Sequence, residues 1–270
     1  MPLVTTKDGN HWNANFEGAG RTLLFIHGWS ADSRIWLSQR NHFSKKFRAV
    51  TVDLPGHGQT PWQDLTLEQI AKDFLEIVEN DEGQGGVNIV GSSFGGLVAL
   101  QMLALDPENI SAQVFVGAQP KFSQSADYPW GLAPERIAKL KKQLIADFPA
   151  IVPIFFRSLF TPQERASERF KWLQSFRQNE AVPCQEALLR LLDVLMGADL
   201  REVLRTSNLP IQFINGTEDT ICPKELYAQL KGEMPQAQFD WIDGCGHFPF
   251  VSHPNEFNQV LEKFLGSRDD

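Results

Sequence analysis

Gly91-Ser92-Ser93-Phe94-Gly95 joins an apolar β-type run, Val87 to Val90, to a helical run, Leu97 to Leu105, and this junction constrains the fold more than any other stretch. A Gly-x-Ser-x-Gly sequence between strand and helix forces its serine onto a sharp turn, with the hydroxyl clear of the backbone above the helix N-terminus. Ser93 is therefore the candidate nucleophile. Side chains at 91 and 95 would clash where strand and helix close on each other, hence the glycines. Ser92 falls outside that frame. Taken alone, the pentapeptide also reads as a helix N-cap serine after a strand, so the residues downstream decide.

A serine hydroxyl is a poor nucleophile at neutral pH. It needs a base to take its proton and an acid to hold that base in one tautomer. In a strand–turn–helix site the chain order is serine, acid, histidine. Of six histidines only His247 and His253 follow Ser93. His247 lies in Gly244-Cys245-Gly246-His247-Phe248-Pro249, straight after the strand-like run Phe239 to Ile242, and is the candidate base. His253 precedes Pro254 and a helix from Glu256 to Leu265, and reads as exposed or helix-capping.

For the acid, Ile211 to Asn215 reads as a buried strand whose C-terminal end is left by Gly216-Thr217-Glu218-Asp219, followed by a helix from Lys224 to Lys231. Asp219 is the candidate, with Glu218 an adjacent alternative and an ordinary turn aspartate the competing reading. Asp243 lies too close in sequence to His247 to reach it from another strand. The oxyanion of an acyl transfer must meet donors fixed in advance, each worth about 3 kcal/mol. The backbone amide of Phe94 is one. That of Trp29, in the loop His27-Gly28-Trp29 after the apolar run Leu23 to Ile26, is the other. His27 reads as a loop brace.

Strands are expected at 23–27, 49–54, 87–91, 112–116, 211–215 and 239–242, after an opening hairpin around Asp8-Gly9. Helices near 36–45, 67–80, 94–105, 224–231 and 256–265 alternate with them, which predicts an α/β fold with a mostly parallel sheet covered on both faces. The segment between these halves breaks the alternation and reads as helical. Residues 119–207 are thus expected to form a cap inserted into a catalytic core of 1–118 and 208–270. Ile137, Leu140, Leu144, Ile145 and Phe148 recur at helical spacing, as do Phe170, Leu173 and Phe176. Phe155, Phe156 and Phe160 either line an apolar acyl slot facing the serine or pack the cap.

With 270 residues, 42% of them hydrophobic, the chain can bury a large core and is too apolar for disorder. Met1 to Asn10 lacks the apolar core of a signal peptide, and no run approaches the ~20 apolar residues of a membrane span. Three cysteines, Cys184, Cys222 and Cys245, at unpatterned spacing suggest reduced thiols in a cytoplasmic protein. Cys245 reads as a small neutral loop residue. From Pro134 to Arg190 the charge balance is +4, which leaves −12 for the rest of a chain whose net charge is −8. Such a basic segment on an acidic body steers an acidic partner or is simply a solvated helix face. The acidic balance argues against nucleic acid.

His27-Gly28-Trp29, Asp53-Leu54-Pro55-Gly56-His57-Gly58, Gly91-x-Ser93-x-Gly95, Asp219 before Pro223, and Gly246-His247 together resemble the α/β-hydrolases throughout the chain. Within them the sequence looks most like the pimeloyl-[acyl-carrier protein] methyl ester carboxylesterases of biotin synthesis. That likeness runs through Pro120 to Ser123, Tyr128 to Gly131, Lys142 to Phe148, Asp199 to Arg201 and Phe248 to Pro254. It implies a serine esterase without cofactor or metal, a monomer, acting on a pimeloyl methyl ester tethered to an acyl-carrier protein. It further implies an acyl pocket at Trp29, Ser92, Phe94 and Phe155, and carrier docking on Arg157, Arg165, Arg169 and Lys171. Two departures stand out. Ser92 occupies a position that is usually tryptophan in those enzymes, and the cap's basic residues do not register cleanly with their carrier-binding arginines. A general small-ester carboxylesterase, a carbon–carbon bond hydrolase or lyase, and a non-catalytic ligand receptor are the rival readings. Epoxide hydrolase and dehalogenase chemistry needs a carboxylate where Ser93 stands.

Overall fold

The computed structural model describes residues 3–79, 83, 85–178 and 183–266. Strands β1 (Val4–Thr5) and β2 (His11–Trp12) pair antiparallel around the Asp8-Gly9 turn, as a small sheet of their own. Then follow β3 (Ala14–Glu17), β4 (Thr22–Ile26), α1 (Leu37–Phe43), β5 (Arg48–Val52), α2 (Leu67–Glu79), β6 (Val87–Ser92), α3 (Phe94–Leu105) and β7 (Ile110–Val116). Five helices come next: α4 (Pro134–Ser158), α5 (Pro162–Ala166), α6 (Glu168–Gln178), α7 (Gln185–Gly197) and α8 (Arg201–Thr206). The chain then returns through β8 (Ile211–Gly216), α9 (Lys224–Glu233), β9 (Gln238–Ile242), α10 (Pro249–Ser252) and α11 (Pro254–Gly266).

The main sheet has seven strands in the order β3-β5-β4-β6-β7-β8-β9. All its pairings are parallel except that of β3 with β5 at one edge. Every residue of β4, β6 and β8 is buried, as expected of parallel strands with helices on both faces. The expected strands and α/β architecture are all present, with ends shifted by one or two residues. The antiparallel edge strand β3 was not anticipated, because its four residues carry no strong alternation. Helix α3 is apolar on nearly all sides, which suits its place against β6, β7 and α2.

The helical insertion leaves the sheet after β7 and returns at β8, so it rises from the C-terminal ends of the strands, where open α/β sheets place their ligands. Its first helix is broken at Asp147 (φ −152°, ψ 67°). Pro149 lacks an N–H and its ring crowds the carbonyl four residues back, which accounts for the break. One sequence expectation is corrected ahead of the break, where Ile145 follows Leu144 by one residue and so stands about 100° round the helix from it. Ile137 and Leu144 are buried, but Ile145 is 66% exposed and turned away from the apolar stripe. Phe170 and Leu173 are buried as their spacing predicts, and the side chain of Phe176 lies outside the described residues.

Candidate active site

Ser93 sits between β6 and α3 at φ +52° and ψ −116°, a backbone region that costs a non-glycine residue about 1–3 kcal/mol and persists only where surroundings enforce it. The enforcement is visible. Its amide donates to the Val116 carbonyl at 3.0 Å, and its carbonyl accepts from the Gly96 amide at 2.9 Å. A Cβ at Gly91 would lie 2.5 Å from the Gly95 carbonyl oxygen, and one at Gly95 would lie 2.4 Å from that of Ile26. Both glycines are thus demanded by backbone contact.

His247 and Asp219 meet from the loops after β9 and β8. His247 Nδ1 lies 2.8 Å from Asp219 Oδ2, and both side chains are buried. The other carboxylate oxygen accepts the amides of Ile221 at 2.7 Å and Cys222 at 3.2 Å. A carboxylate so held can only accept, so the imidazole proton resides on Nδ1 and Nε2 keeps its lone pair. Glu218 is exposed, and Asp243 instead accepts from the Thr217 hydroxyl. Gly117, at φ +53°, is packed so tightly that a Cβ there would stand 2.9 Å from His247 Nδ1.

The His27-Gly28-Trp29 loop lies directly against the serine: a Cβ on Gly28 would be 3.0 Å from Ser93 Cβ and 3.2 Å from the Ser92 carbonyl oxygen. Two buried histidines brace this loop. His27 Nε2 accepts the Leu54 amide at 3.0 Å, which leaves Nδ1–H to donate to the Gly28 carbonyl at 2.8 Å. His57 Nε2 accepts the Ser30 amide at 3.3 Å, while its Nδ1–H donates to Pro55. The Asp53-to-Gly58 motif is thus the support of the loop that carries the Trp29 amide. The Phe94 amide opens α3, where the first N–H groups of a helix have no partner within it.

Ser93 and His247 open into one cleft of about 310 Å³ under the insertion, whose walls include Trp29, Phe122, Leu140 and Phe155. Trp29 and Phe155 meet edge to face with centroids 4.8 Å apart, and Trp29 Nε1 donates to the Leu188 carbonyl of α7. The other two residues assigned to the acyl pocket, Ser92 and Phe94, are fully buried and their side chains do not line the cleft. Phe156 and Phe160 pack on Phe248 instead, with Phe160 also against Phe170.

One pair of contacts was missed from the sequence. Glu164, 4% exposed, accepts the Gly246 amide at 3.0 Å and the Thr161 amide at 2.6 Å through the same oxygen. The Leu159 carbonyl accepts the His247 amide at 2.9 Å. Thr161 to Glu164 is a capping box, legible as Thr-x-x-Glu, but nothing in that spacing reveals the reach to residue 246.

The residues assigned to carrier docking lie on the second half of the insertion. The Arg157 guanidinium stands over Phe170, and Arg165 donates to the Arg157 carbonyl at 3.5 Å. Arg169 donates to the Val251 carbonyl and the Ser38 hydroxyl, and Lys171 pairs with Glu168.

Among the described residues, two groups of side chains bring metal-ligand atoms within 4.8 Å of one another: Glu164, Cys245 and His253, and Asp219, Cys222 and His247. In the first, Cys245 Sγ and His253 Nδ1 are only 2.6 Å apart, whereas ligands at about 2.3 and 2.0 Å on one tetrahedral ion stand well over 3 Å apart. That is a hydrogen-bonded pair. Burial pushes the Cys245 thiol up to about 12, so it stays a neutral thiol in this pair and not a metal-binding thiolate. In the second, the Cys222 thiol donates to the Gly117 carbonyl, and Asp219 is filled by His247 and two amides.

The alpha/beta hydrolase family matches residues 23–260. A pimeloyl-[acyl-carrier protein] methyl ester esterase of Yersinia enterocolitica is 32% identical over 94% of this chain and 96% of its own length. Another, of Citrobacter koseri, is 32% identical over 91% and 94%. Among solved structures, an esterase from Exiguobacterium antarcticum superposes with a TM-score of 0.87 over 98% of this chain and 99% of its own, at 21% identity. A bromoperoxidase from Bacillus anthracis gives 0.86 over 98% and 99%, at 26% identity. No helix among the described residues is long and apolar enough to cross a membrane.

Proposed function

The chain belongs to the alpha/beta hydrolase family, and on that premise we propose that it is a serine carboxylesterase that removes the methyl ester from pimeloyl-[acyl-carrier protein], a step of biotin synthesis, leaving pimeloyl-[acyl-carrier protein] and methanol. The reaction class is carried by one observation: Ser93 and His247 share a cleft, and the nitrogen of His247 turned to Asp219 is bonded to it at 2.8 Å. The substrate is carried by the curated relatives, whose names specify that ester.

In this reading His247 Nε2 takes the Ser93 proton as the serine oxygen attacks the ester carbonyl. Negative charge gathers on the carbonyl oxygen and is met by the Trp29 and Phe94 amides. The imidazolium, held by Asp219, returns its proton to the departing methoxide, and methanol leaves. Water then repeats the attack on the acyl-enzyme, with His247 as base, and frees the carboxylate. Residues 119–207 act as the cap, and apolar cleft walls such as Phe122, Leu140 and Phe155 suit a methylene chain with no charge of its own.

The test is kcat/KM for methyl pimeloyl-carrier protein beside free dimethyl pimelate, with Ser93→Ala as the blank. A large preference for the tethered ester, and a blank lower by about 10³-fold or more, are expected. Equal or better use of the free ester overturns the substrate assignment, and near-normal turnover by Ser93→Ala overturns the nucleophile.

A further inference from the structure

We propose that the Trp29 side chain is a positioning group, through which the helical insertion holds the oxyanion-binding amide of the same residue in place. On the acyl-transfer reading of the preceding section, on which this rests, Trp29 serves through its backbone N–H. Its indole is bound to the insertion.

Trp29 is 5% exposed and joins core to insertion. Nε1, which can only donate, bonds to the Leu188 carbonyl in the first turn of α7 at 2.9 Å, and the ring meets that of Phe155, on α4, edge to face. The same end of α7 also grips the support of the oxyanion loop. The Cys184 amide donates to the Gly56 carbonyl at 3.0 Å, and a Cβ on Gly56 would stand 2.5 Å from that of Ala187. Gly56 precedes His57, whose ring accepts the Ser30 amide.

The loop does not hold its shape unaided. Ser30 takes a left-handed φ of +64°, a conformation that a residue with a side chain keeps only where its surroundings enforce it. The Gly28–Trp29 peptide is planar and trans, so its N–H points away from its C=O. That carbonyl accepts from His27 Nδ1 at 2.8 Å and from the Ala31 amide at 3.2 Å, which sets the direction of the Trp29 N–H. The other end of the peptide is the Trp29 Cα, and the indole ties that atom to α7. A misplacement of about 1 Å in such a group costs about 10²-fold in rate. The loss falls on charge that develops in the transition state and not on binding of the neutral ester. Glu164 and the Leu159 carbonyl fasten the insertion to the base loop, so the same set of helices locates both base and oxyanion donor.

The experiment compares the wild type with Trp29→Phe, with benzothienylalanine placed at position 29 alone, and with Leu191→Ala. Phenylalanine keeps a ring toward Phe155 and removes the donor. Benzothienylalanine keeps the bicyclic shape and puts sulfur where the N–H was, so it guards against a phenylalanine variant that fails to fold. Leu191 is buried on α7 and does not line the cleft, so its truncation loosens the insertion while the indole bond remains. Measured are kcat and KM on dimethyl pimelate, melting temperature, and affinity for an alkyl trifluoromethyl ketone beside its methyl ketone counterpart. Addition of the Ser93 oxygen to the fluorinated ketone, with the proton passing to His247, places a negative charge on the ketone oxygen.

Both position-29 variants are expected to lose kcat by about tenfold or more with KM little changed, and to lose affinity for the trifluoromethyl ketone in step while methyl ketone binding holds. Leu191→Ala should keep most of its kcat at an equal or larger loss of melting temperature. Retained kcat and retained trifluoromethyl ketone affinity in the position-29 variants, or a loss confined to KM, overturn the proposal. An equal loss of kcat in Leu191→Ala overturns it as well. A wild type that binds the two ketones equally overturns the acyl-transfer reading itself, an outcome separate from the others.

Discussion

Glu164, in a short helix of the insertion, accepts the backbone amide of Gly246, the residue before the candidate base, at 3.0 Å. With the Leu159 carbonyl on the His247 amide, this fastens the base-bearing loop to the insertion and not only to the sheet. Position of the base and seating of the insertion are thereby one property.

Replacing Glu164 by alanine leaves two buried amides without acceptors, at about 1–3 kcal/mol each where water cannot replace the carboxylate. We expect a melting temperature lower by several degrees and a kcat for simple esters reduced about tenfold, with Ser93 and Asp219 untouched. Thermal unfolding and kinetics with dimethyl pimelate measure both. An unchanged kcat in a protein of lowered stability would make Glu164 a scaffold residue only.

Asp219→Asn should preserve the fold, since an amide oxygen can still accept from Ile221 and Cys222. The amide nitrogen then faces His247 Nδ1 and favours the tautomer with the proton on Nε2, where the serine proton must go. A loss of kcat of about 10³–10⁴ is expected, by analogy with the handicap a tautomer reversal imposes in other serine triads. Loss below tenfold in stopped-flow or steady-state assays would remove Asp219 from the role of orienting acid.

Gly117→Ala meets two obstacles at once, a left-handed backbone and an imidazole nitrogen 2.9 Å from the new methyl group. The histidine must rotate or retreat. Turnover should fall by about 10²-fold, beyond what the accompanying loss of stability explains, and a crystal structure of the variant should show His247 displaced from Asp219. Retained turnover would mean the base tolerates movement.

Stability above neutral pH should depend on Cys245. Burial, with a smaller contribution from the Glu164 carboxylate, raises its thiol from 9.0 to about 12. From about pH 9 upward an unfolded chain releases a proton that the folded chain retains, so stability falls with rising pH through that window and is unaffected below it. Melting temperatures between pH 8 and 11 should therefore decline less steeply for Cys245→Ala than for the wild type. Cys222, raised as well, is present in both proteins and cancels in the comparison. Parallel curves would refute the burial of a neutral thiol.

Sequence alone determined the α/β class, the six parallel strands, and the three candidate residues for serine nucleophile, acid and base. These follow from short-range rules: glycines where strand meets helix, apolar runs too short for helices and buried on both sides, and motif order along the chain. The structure added what depends on distance in space. Asp219 could be preferred to Glu218 in the sequence, but only the fold buries one and exposes the other. Phe155, Phe156 and Phe160 are indistinguishable by composition and spacing, yet one lines the cleft and two pack the insertion, because the break at Asp147 sets the rotation of the helix that carries the first two. Likewise Glu164 and Gly246 are 82 residues apart and share a hydrogen bond. Backbone conformation is written locally; the partner of a buried oxygen or a surface cation is chosen by whatever the rest of the chain brings within a few ångströms, and a single sequence holds no signal for that.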